Sequence, residues 1–211
     1  MYDELKAYIQ GEILPRYETY DPAHRRDHIE GVIARSLELA THYDVERAMV
    51  YTVAAYHDLG LCEGRETHHL TSGRMLREDG ELRRWFSQEQ IATMSEAVED
   101  HRASASHPPR TIYGMIVAEA DRQIIPEVVI RRTIQYGLSH YPSLTREGHW
   151  ERFLGHLHEK YDYGGYLQLH IPESENGRQL ERLRRLIGRP AELRAIFEQL
   201  FEEIAANYVT S

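Results

Sequence analysis

One cysteine, Cys62, in 211 residues leaves nothing to pair with in an internal disulfide and excludes a cysteine-based zinc cluster. Long apolar runs are missing too, since no stretch approaches the roughly 20 residues that a membrane-spanning helix requires. The opening "MYDELKAYIQGEILPRY" is charged and amphipathic, without the hydrophobic block or cleavage site of a signal peptide. These absences predict a cytoplasmic chain with no membrane partner. Positive charge is in deficit, with 25 basic residues against 34 acidic ones and a net charge of −9. Capture of extended nucleic acid needs a basic surface and is therefore not expected. A small phosphorylated ligand stays open, provided a metal ion or local arginines supply positive charge.

What is present points to a globular chain. Hydrophobic residues make up 41% and aromatics 9%, enough for a substantial core at this length. There is no internal repeat, low-complexity tract or linker, so residues 1–211 are expected to form a single domain. Periodicity predicts helices near 3–14, 22–43, 45–59, 67–79, 87–101, 111–123, 126–140, 146–160, 175–187 and 190–208. Asp44 suits the cap of the third, Ser87 with Gln90 resembles a helix start, and Gly60 suits a helix exit. "SHPPR" at 106–110 forces a loop, because consecutive prolines fix φ and remove backbone donors. "YDYGGYLQLHIPES" at 161–174 alternates partially and predicts a short extended hairpin. The expected architecture is all-α, with residues from about 126 onward wrapping an N-terminal core and supplying a wall or lid.

Polar residues on apolar helix faces carry the functional signal. Asp121 shares a helical face with Gly114, Val117, Ala118, Ile124 and Ile125, while Glu119, Arg122 and Gln123 make the polar face. An unpaired carboxylate pointing into a core is costly. His101 continues the stripe Ile91, Met94, Ala97 and Val98. His57 follows Val50, Val53 and Ala54, and Asp58 follows Tyr51, Ala54 and Ala55. His28 lies at the edge of a stripe containing Ile29, Val32 and Ile33. Singly, each histidine is most simply a satisfied core residue and each aspartate a helix cap or an arginine partner. Together they are explained by one common partner, a divalent metal ion, which imidazole and carboxylate both suit. Consecutive helical residues diverge by about 100°, so His57 and Asp58 share an ion most easily where their helix is ending.

The set His28 in "AHRRDHIEGVIARSLELA", His57–Asp58 in "AAYHDLGL" and Asp121 in "IVAEADR" resembles the HD-domain metal-dependent phosphohydrolase superfamily, in particular its small stand-alone bacterial hydrolases. The resemblance covers roughly residues 20–125 as the metal-binding core, with 126–211 as a C-terminal helical extension. It implies an HD-domain helical bundle with additional C-terminal helices and His28, His57, Asp58 and Asp121 as ligands of a divalent metal. Some members add histidines that hold a second ion. Here His101 and one of the pair His68–His69 are candidates, and helical spacing does not separate those two. The spacing from His68 to the small residues Ser72 and Gly73 resembles the family arrangement and favours His68. "HR" at 101–102 departs from the paired histidines of some binuclear branches. "LGLCEG" after the HD pair lacks the acidic pair of guanosine tetraphosphate hydrolases. The GYP signature of cyclic-di-GMP phosphodiesterases and the longer motif of deoxynucleoside triphosphate triphosphohydrolases are also missing.

The function this implies is hydrolysis of a nucleotide or other small phosphate ester by metal-activated water. Asp58 would hold the metal, orient or deprotonate the water, and bridge two ions where two bind. The cofactor is one or two divalent cations per chain, with Mn, Fe, Mg, Zn, Co and Ni all open. Arg102, Arg122 and Arg25 are candidate phosphate contacts, with Arg26, Lys160 and Tyr161 behind them. The helix register turns Arg122 toward solvent, where a surface charge is the simpler explanation. His107 is a candidate proton donor on an exposed loop. The last helix carries the apolar stripe Leu193, Ile196, Phe197, Leu200, Phe201 and Ile204, read as packing, with a homodimer seam as the other use. Two further functions compete: a diiron oxygenase built on the extra histidines, and a noncatalytic ligand-binding module.

Overall fold

The structure is a computed structural model that describes residues 2–20, 25–105 and 107–209, with side chains to Ala206. The first residues of the predicted helix 22–43 and Ser106 of the proline loop lie outside the described residues. The helices are α1 (Tyr2–Tyr8), α2 (Arg26–Leu39), α3 (Arg47–Tyr56), α4 (His68–Glu78), α5 (Gln88–Glu99), α6 (Ile112–Asp121), α7 (Pro126–His140), α8 (Arg146–Tyr161), α9 (Glu175–Ile187) and α10 (Pro190–Val209). The fold is all-α, and among the described residues no strand forms. None of the described helices is long and apolar enough to cross a membrane.

Local chemistry explains most boundaries. α1 does not reach residue 14 in α form; it widens to a π-turn over Ile9–Ile13 and tightens to a 3₁₀ turn over Leu14–Thr19. Pro15 is the cause, since its ring has no N–H and clashes with the carbonyl four residues back. Ser87 and Gln90 close a reciprocal capping box on α5. The Asp44 cap does not form: α3 starts after Glu46, with no side-chain cap. Tyr113 instead donates its position to this turn, its hydroxyl oxygen accepting from Glu46 N at 3.1 Å.

The predicted hairpin is also absent. After α8 the chain folds back on the helix end, with Tyr166 N donating to Glu159 O and Leu167 N to Lys160 O, both at 3.0 Å. A Cβ on Gly165 would sit 2.6 Å from Lys160 O. The glycines thus serve a close return onto helix carbonyls, which satisfies donors that a second strand would otherwise have to take.

The chain divides into two compact units. The first comprises Met1–Arg122 with His170–Ser174. Its core is built on Ile9, Ile13 and Tyr17, Ile29 from α2, Val53 and Ala54 from α3, Met94 and Val98 from α5, and Val117 from α6. Ile171 joins this unit beside Ala40, Val50 and Ile116. The second unit, Gln123–Leu169 with Glu175–Ser211, is centred on Trp150, Phe153, Leu183, Leu193 and Phe197. Leu193, Phe197, Phe201 and Ile204 of the α10 stripe are buried there, where each large apolar side chain contributes about 1.5–3 kcal/mol.

Candidate metal centre

α3 is buried continuously from Met49 to its last residue, Tyr56, so whatever follows it emerges inside the first unit. His57 keeps helical angles, and Asp58 turns out of the helix at φ −108°. His57 is fully buried and Asp58 is 5% exposed. The carbonyls around this exit are satisfied by residues far away in sequence. Tyr17 Oη donates to Ala55 O at 2.9 Å, and Tyr20 Oη donates to Leu59 O at 2.6 Å. Two tyrosines from the N-terminal segment therefore hold the helix end that presents the pair.

Gly60 has a different job from the one expected. Its φ is not positive, so it is not a left-handed exit. A Cβ there would lie 2.6 Å from Ser72 N and 2.7 Å from Thr71 Cβ, and would also overlap His68 O. Gly60 N donates to Ser72 Oγ at 2.8 Å. On the other face of α4, Ser95 Oγ donates to Gly73 O at 2.8 Å. The small residues Ser72 and Gly73 thus let α4 press against both neighbours, and that seating brings His68 to Asp58.

The polar atoms gather around Asp58 in two groups. His57 Nε2 lies 3.4 Å from Asp58 Oδ2 and 3.7 Å from Asp121 Oδ1, and His28 Nε2 lies 3.2 Å from Asp121 Oδ1. On the other side, Asp58 Oδ1 stands 3.3 Å from His68 Nε2 and 3.4 Å from His101 Nε2. The two latter nitrogens are 3.1 Å apart. His28, His57 and Asp58 could hold one ion, and Asp58, His68 and His101 another.

Three of these imidazoles are fixed in the same way. Nδ1 of His57, His68 and His101 meets the carbonyl three residues back, of Ala54, Arg65 and Val98, at 2.8, 2.8 and 2.6 Å. A carbonyl oxygen only accepts, so each Nδ1 carries the hydrogen, and in its neutral form each ring directs an Nε2 lone pair toward Asp58. Buried His57 Nε2 makes no hydrogen bond among the described residues. Lone pairs of two imidazoles and a carboxylate facing one another at 3.1–3.4 Å repel unless a cation or protons lie between them. Ligand atoms about 2.0–2.2 Å from an ion at tetrahedral angles are themselves about 3.3–3.6 Å apart. The donor set therefore fits a divalent metal in chemistry and spacing.

Electrostatics without a metal agree. Burial alone would push His57 down, but the carboxylates of Asp58 and Asp121 hold it well above the usual histidine value. Burial likewise opposes ionisation of Asp58, while His57, His101 and His68 keep it well below the carboxylate range. Asp121, opposed by burial and favoured by His28 and His57, is also lowered. The carboxylates are thus ionised and ready to bind a cation.

His69 points elsewhere. Burial and the neighbouring His101 and His68 push it down to about 4, and it has no short contact with Asp58. Arg102 spends Nη1 on Glu66 O at 2.5 Å. Arg25 is exposed, with Nε at 3.5 Å from Tyr20 O, and Arg26 is paired with Glu30 at 2.8 Å. His107 is exposed and 4.0 Å from Asp100. Lys160 and Tyr161 belong to the second unit, with Lys160 Nζ 5.2 Å from the Tyr161 ring centre.

α6 corrects the expected polar face. Glu119 is fully buried, accepting from Ser174 Oγ at 2.5 Å and His170 N at 3.1 Å. Arg122 is half-buried, not solvent-facing, and burial lowers it against the raising charges of Glu119 and Asp121. Every residue from Ile116 to Ala120 is buried, so α6 has no solvent face from which a register could be read. Arg35 was also missed. Its Nε donates to Ala120 O at 2.7 Å, capping the helix whose last residue is Asp121. The seven-residue step from His28 to Arg35 along α2 is the signal that could have found it.

The HD-domain family matches residues 25–123. A solved structure described as a predicted HD superfamily hydrolase from an uncultured Thermotogales bacterium is similar at a TM-score of 0.49 and 21% identity, over 74% of this chain and 86% of that one. No curated protein matches the sequence. The matched segment runs from the start of α2 past the end of α6 and contains all six clustered side chains, so an HD domain spans residues 25–123 of the chain.

Proposed function

We propose that the protein is a metal-dependent phosphohydrolase acting on a small phosphate ester, with nucleotides the first class to test. The observation that carries this reading is the two-sided use of Asp58, whose Oδ2 faces His57 and whose Oδ1 faces His68 and His101. His28, His57 and Asp121 together with Asp58 would hold one cation, and His68 and His101 together with Asp58 would hold a second. A divalent cation bound there supplies Lewis acidity, activating water as a nucleophile and neutralising charge on phosphoryl oxygens.

The chain's own groups divide the remaining work. Asp58, buried and ionised, orients water through its carboxylate oxygens. His57 is sealed from solvent, so its ring can only hold. The His28 and Asp121 side chains are 24% and 28% exposed, against 12% and 3% for His68 and His101. Substrate therefore approaches from the His28–Asp121 edge, and the His68–His101 side is the closed one.

The two additional histidines also suit the oxygenase alternative, so the test separates both. Purified protein is analysed for metal and then assayed against nucleotides and phosphate esters, with and without oxygen. Phosphate release independent of oxygen is expected, with up to two ions per chain. Turnover of no phosphate ester by metal-loaded protein would defeat the hydrolase reading, and oxygen consumption would favour the alternative.

A further inference from the structure

Arg35 does more than cap α6. Its cap uses Nε alone, and among the described residues neither terminal nitrogen of the guanidinium has a hydrogen-bond partner. The group folds back along α2 instead of reaching out to solvent. A Cβ built on Gly31 would lie 3.1 Å from Nη1, 3.8 Å from Nη2 and 3.9 Å from Cζ. Gly31 thus leaves a seat for the guanidinium on the helix surface, one turn after His28. On its other side stands the end of α6, where Ala120 O accepts from Nε and Asp121 follows.

The guanidinium is therefore fixed at two points, between the turn that carries His28 and the helix end that carries Asp121. Those two residues form the more exposed edge of the metal cluster. The negative charge of Asp121 favours the cation there, and burial opposes it. A half-buried guanidinium with a fixed orientation, and both NH₂ groups without a partner among the described residues, is preorganised for a bidentate oxyanion. Three of the arginines that the sequence also put forward, Arg102, Arg26 and Arg25, are less suited. Arg102 is spent on a carbonyl, Arg26 on a carboxylate, and Arg25 is exposed.

We propose that Arg35, seated on Gly31 and held by Ala120 O, is the residue that binds the phosphate group of the substrate at the His28–Asp121 edge. This rests on the phosphohydrolase reading given above and assigns its substrate-binding arginine. A charged hydrogen-bond pair of this kind is worth roughly tenfold or more in affinity.

The test uses inorganic phosphate as probe. Its binding to Mn(II)-loaded full-length protein is measured by calorimetry for the wild type, Arg35→Met and Arg35→Lys, with Mn content and helical circular dichroism recorded for each. Arg35→Met is expected to weaken phosphate binding by about tenfold or more, and Arg35→Lys by a smaller factor because it keeps the charge and loses the fork. Mn content should be unchanged in both. Equal phosphate affinity in wild type and Arg35→Met overturns the assignment and leaves the hydrolase reading standing. Absence of phosphate binding in the wild type removes the hydrolase reading and the assignment with it. Should Arg35→Met lose Mn or helical signal, Arg35→Lys decides: weakened binding with Mn retained supports the role, and unchanged binding or lost Mn contradicts it.

Discussion

Replacing Asp58 with alanine is expected to abolish the proposed phosphate-ester hydrolysis, a loss on the order of 10³ or more, and to empty both proposed metal positions together. The reason is geometric. Asp58 Oδ2 faces His57 at 3.4 Å, and Oδ1 faces His68 and His101 at 3.3 and 3.4 Å, so one side chain belongs to both groups. Neither group keeps a carboxylate oxygen of Asp58 after the change, and the His68–His101 side keeps no anionic member of its triad. The helical signal should survive. The buried groups left behind are imidazoles hydrogen-bonded through Nδ1, and such a ring in its neutral form costs far less to bury than a stranded charge. His68→Ala is the informative contrast, since it should cost the second ion and spare the first. Metal content per chain measured on both variants distinguishes a shared ligand from two independent sites.

Gly60→Ala is expected to be as damaging by a different route. The added methyl has no room, with Ser72 N at 2.6 Å, Thr71 Cβ at 2.7 Å and His68 O in overlap. Two of those three atoms are backbone, so no rotamer change can relieve them. Overpacking of this kind costs about 1–3 kcal/mol when side chains can yield, and more when they cannot. A loss of about 3 kcal/mol corresponds to a fall of roughly 6–12 °C in thermal midpoint for a chain of this size. Relief requires α4 to move away from the turn after Asp58, and His68 moves with it. The variant should therefore lose the His68–His101 ion before it loses the His28–His57 one. Thermal melts followed by circular dichroism, together with metal titration, check both effects. A midpoint within about 2 °C of wild type would mean that α4 is not seated as described.

The fold class and the residues that gather around Asp58 were legible in the sequence because each relies on local pattern. His28, His57, Asp58, His101 and Asp121 stand out as titratable residues at positions where the helical period calls for apolar ones. The boundaries of α9 follow directly from its spacing of Leu180, Leu183 and Ile187. Glu119 was not legible, because a helix buried on all sides gives no amphipathic phase. Its partners, Ser174 and His170, lie 55 and 51 residues away. Tyr17 and Tyr20 act through hydroxyls on carbonyls 38 and 39 residues distant, and no periodicity reports such bonds. Gly60 was read as a conformational glycine when its real constraint is the close approach of α4. The choice between His68 and His69 needed tertiary structure, since both lie in the first turn of one helix and only His68 turns its Nε2 to Asp58.

Everything proposed for function depends on cations sharing the space around Asp58. Crystals of the protein grown with Mn(II) and measured at the manganese absorption edge test this most directly. The expected result is anomalous density on both sides of the Asp58 carboxylate, one peak bounded by His28, His57 and Asp121 and the other by His68 and His101. A well-ordered centre with all six side chains in place, saturating Mn(II) in the crystal and no anomalous peak beside either oxygen would contradict the account.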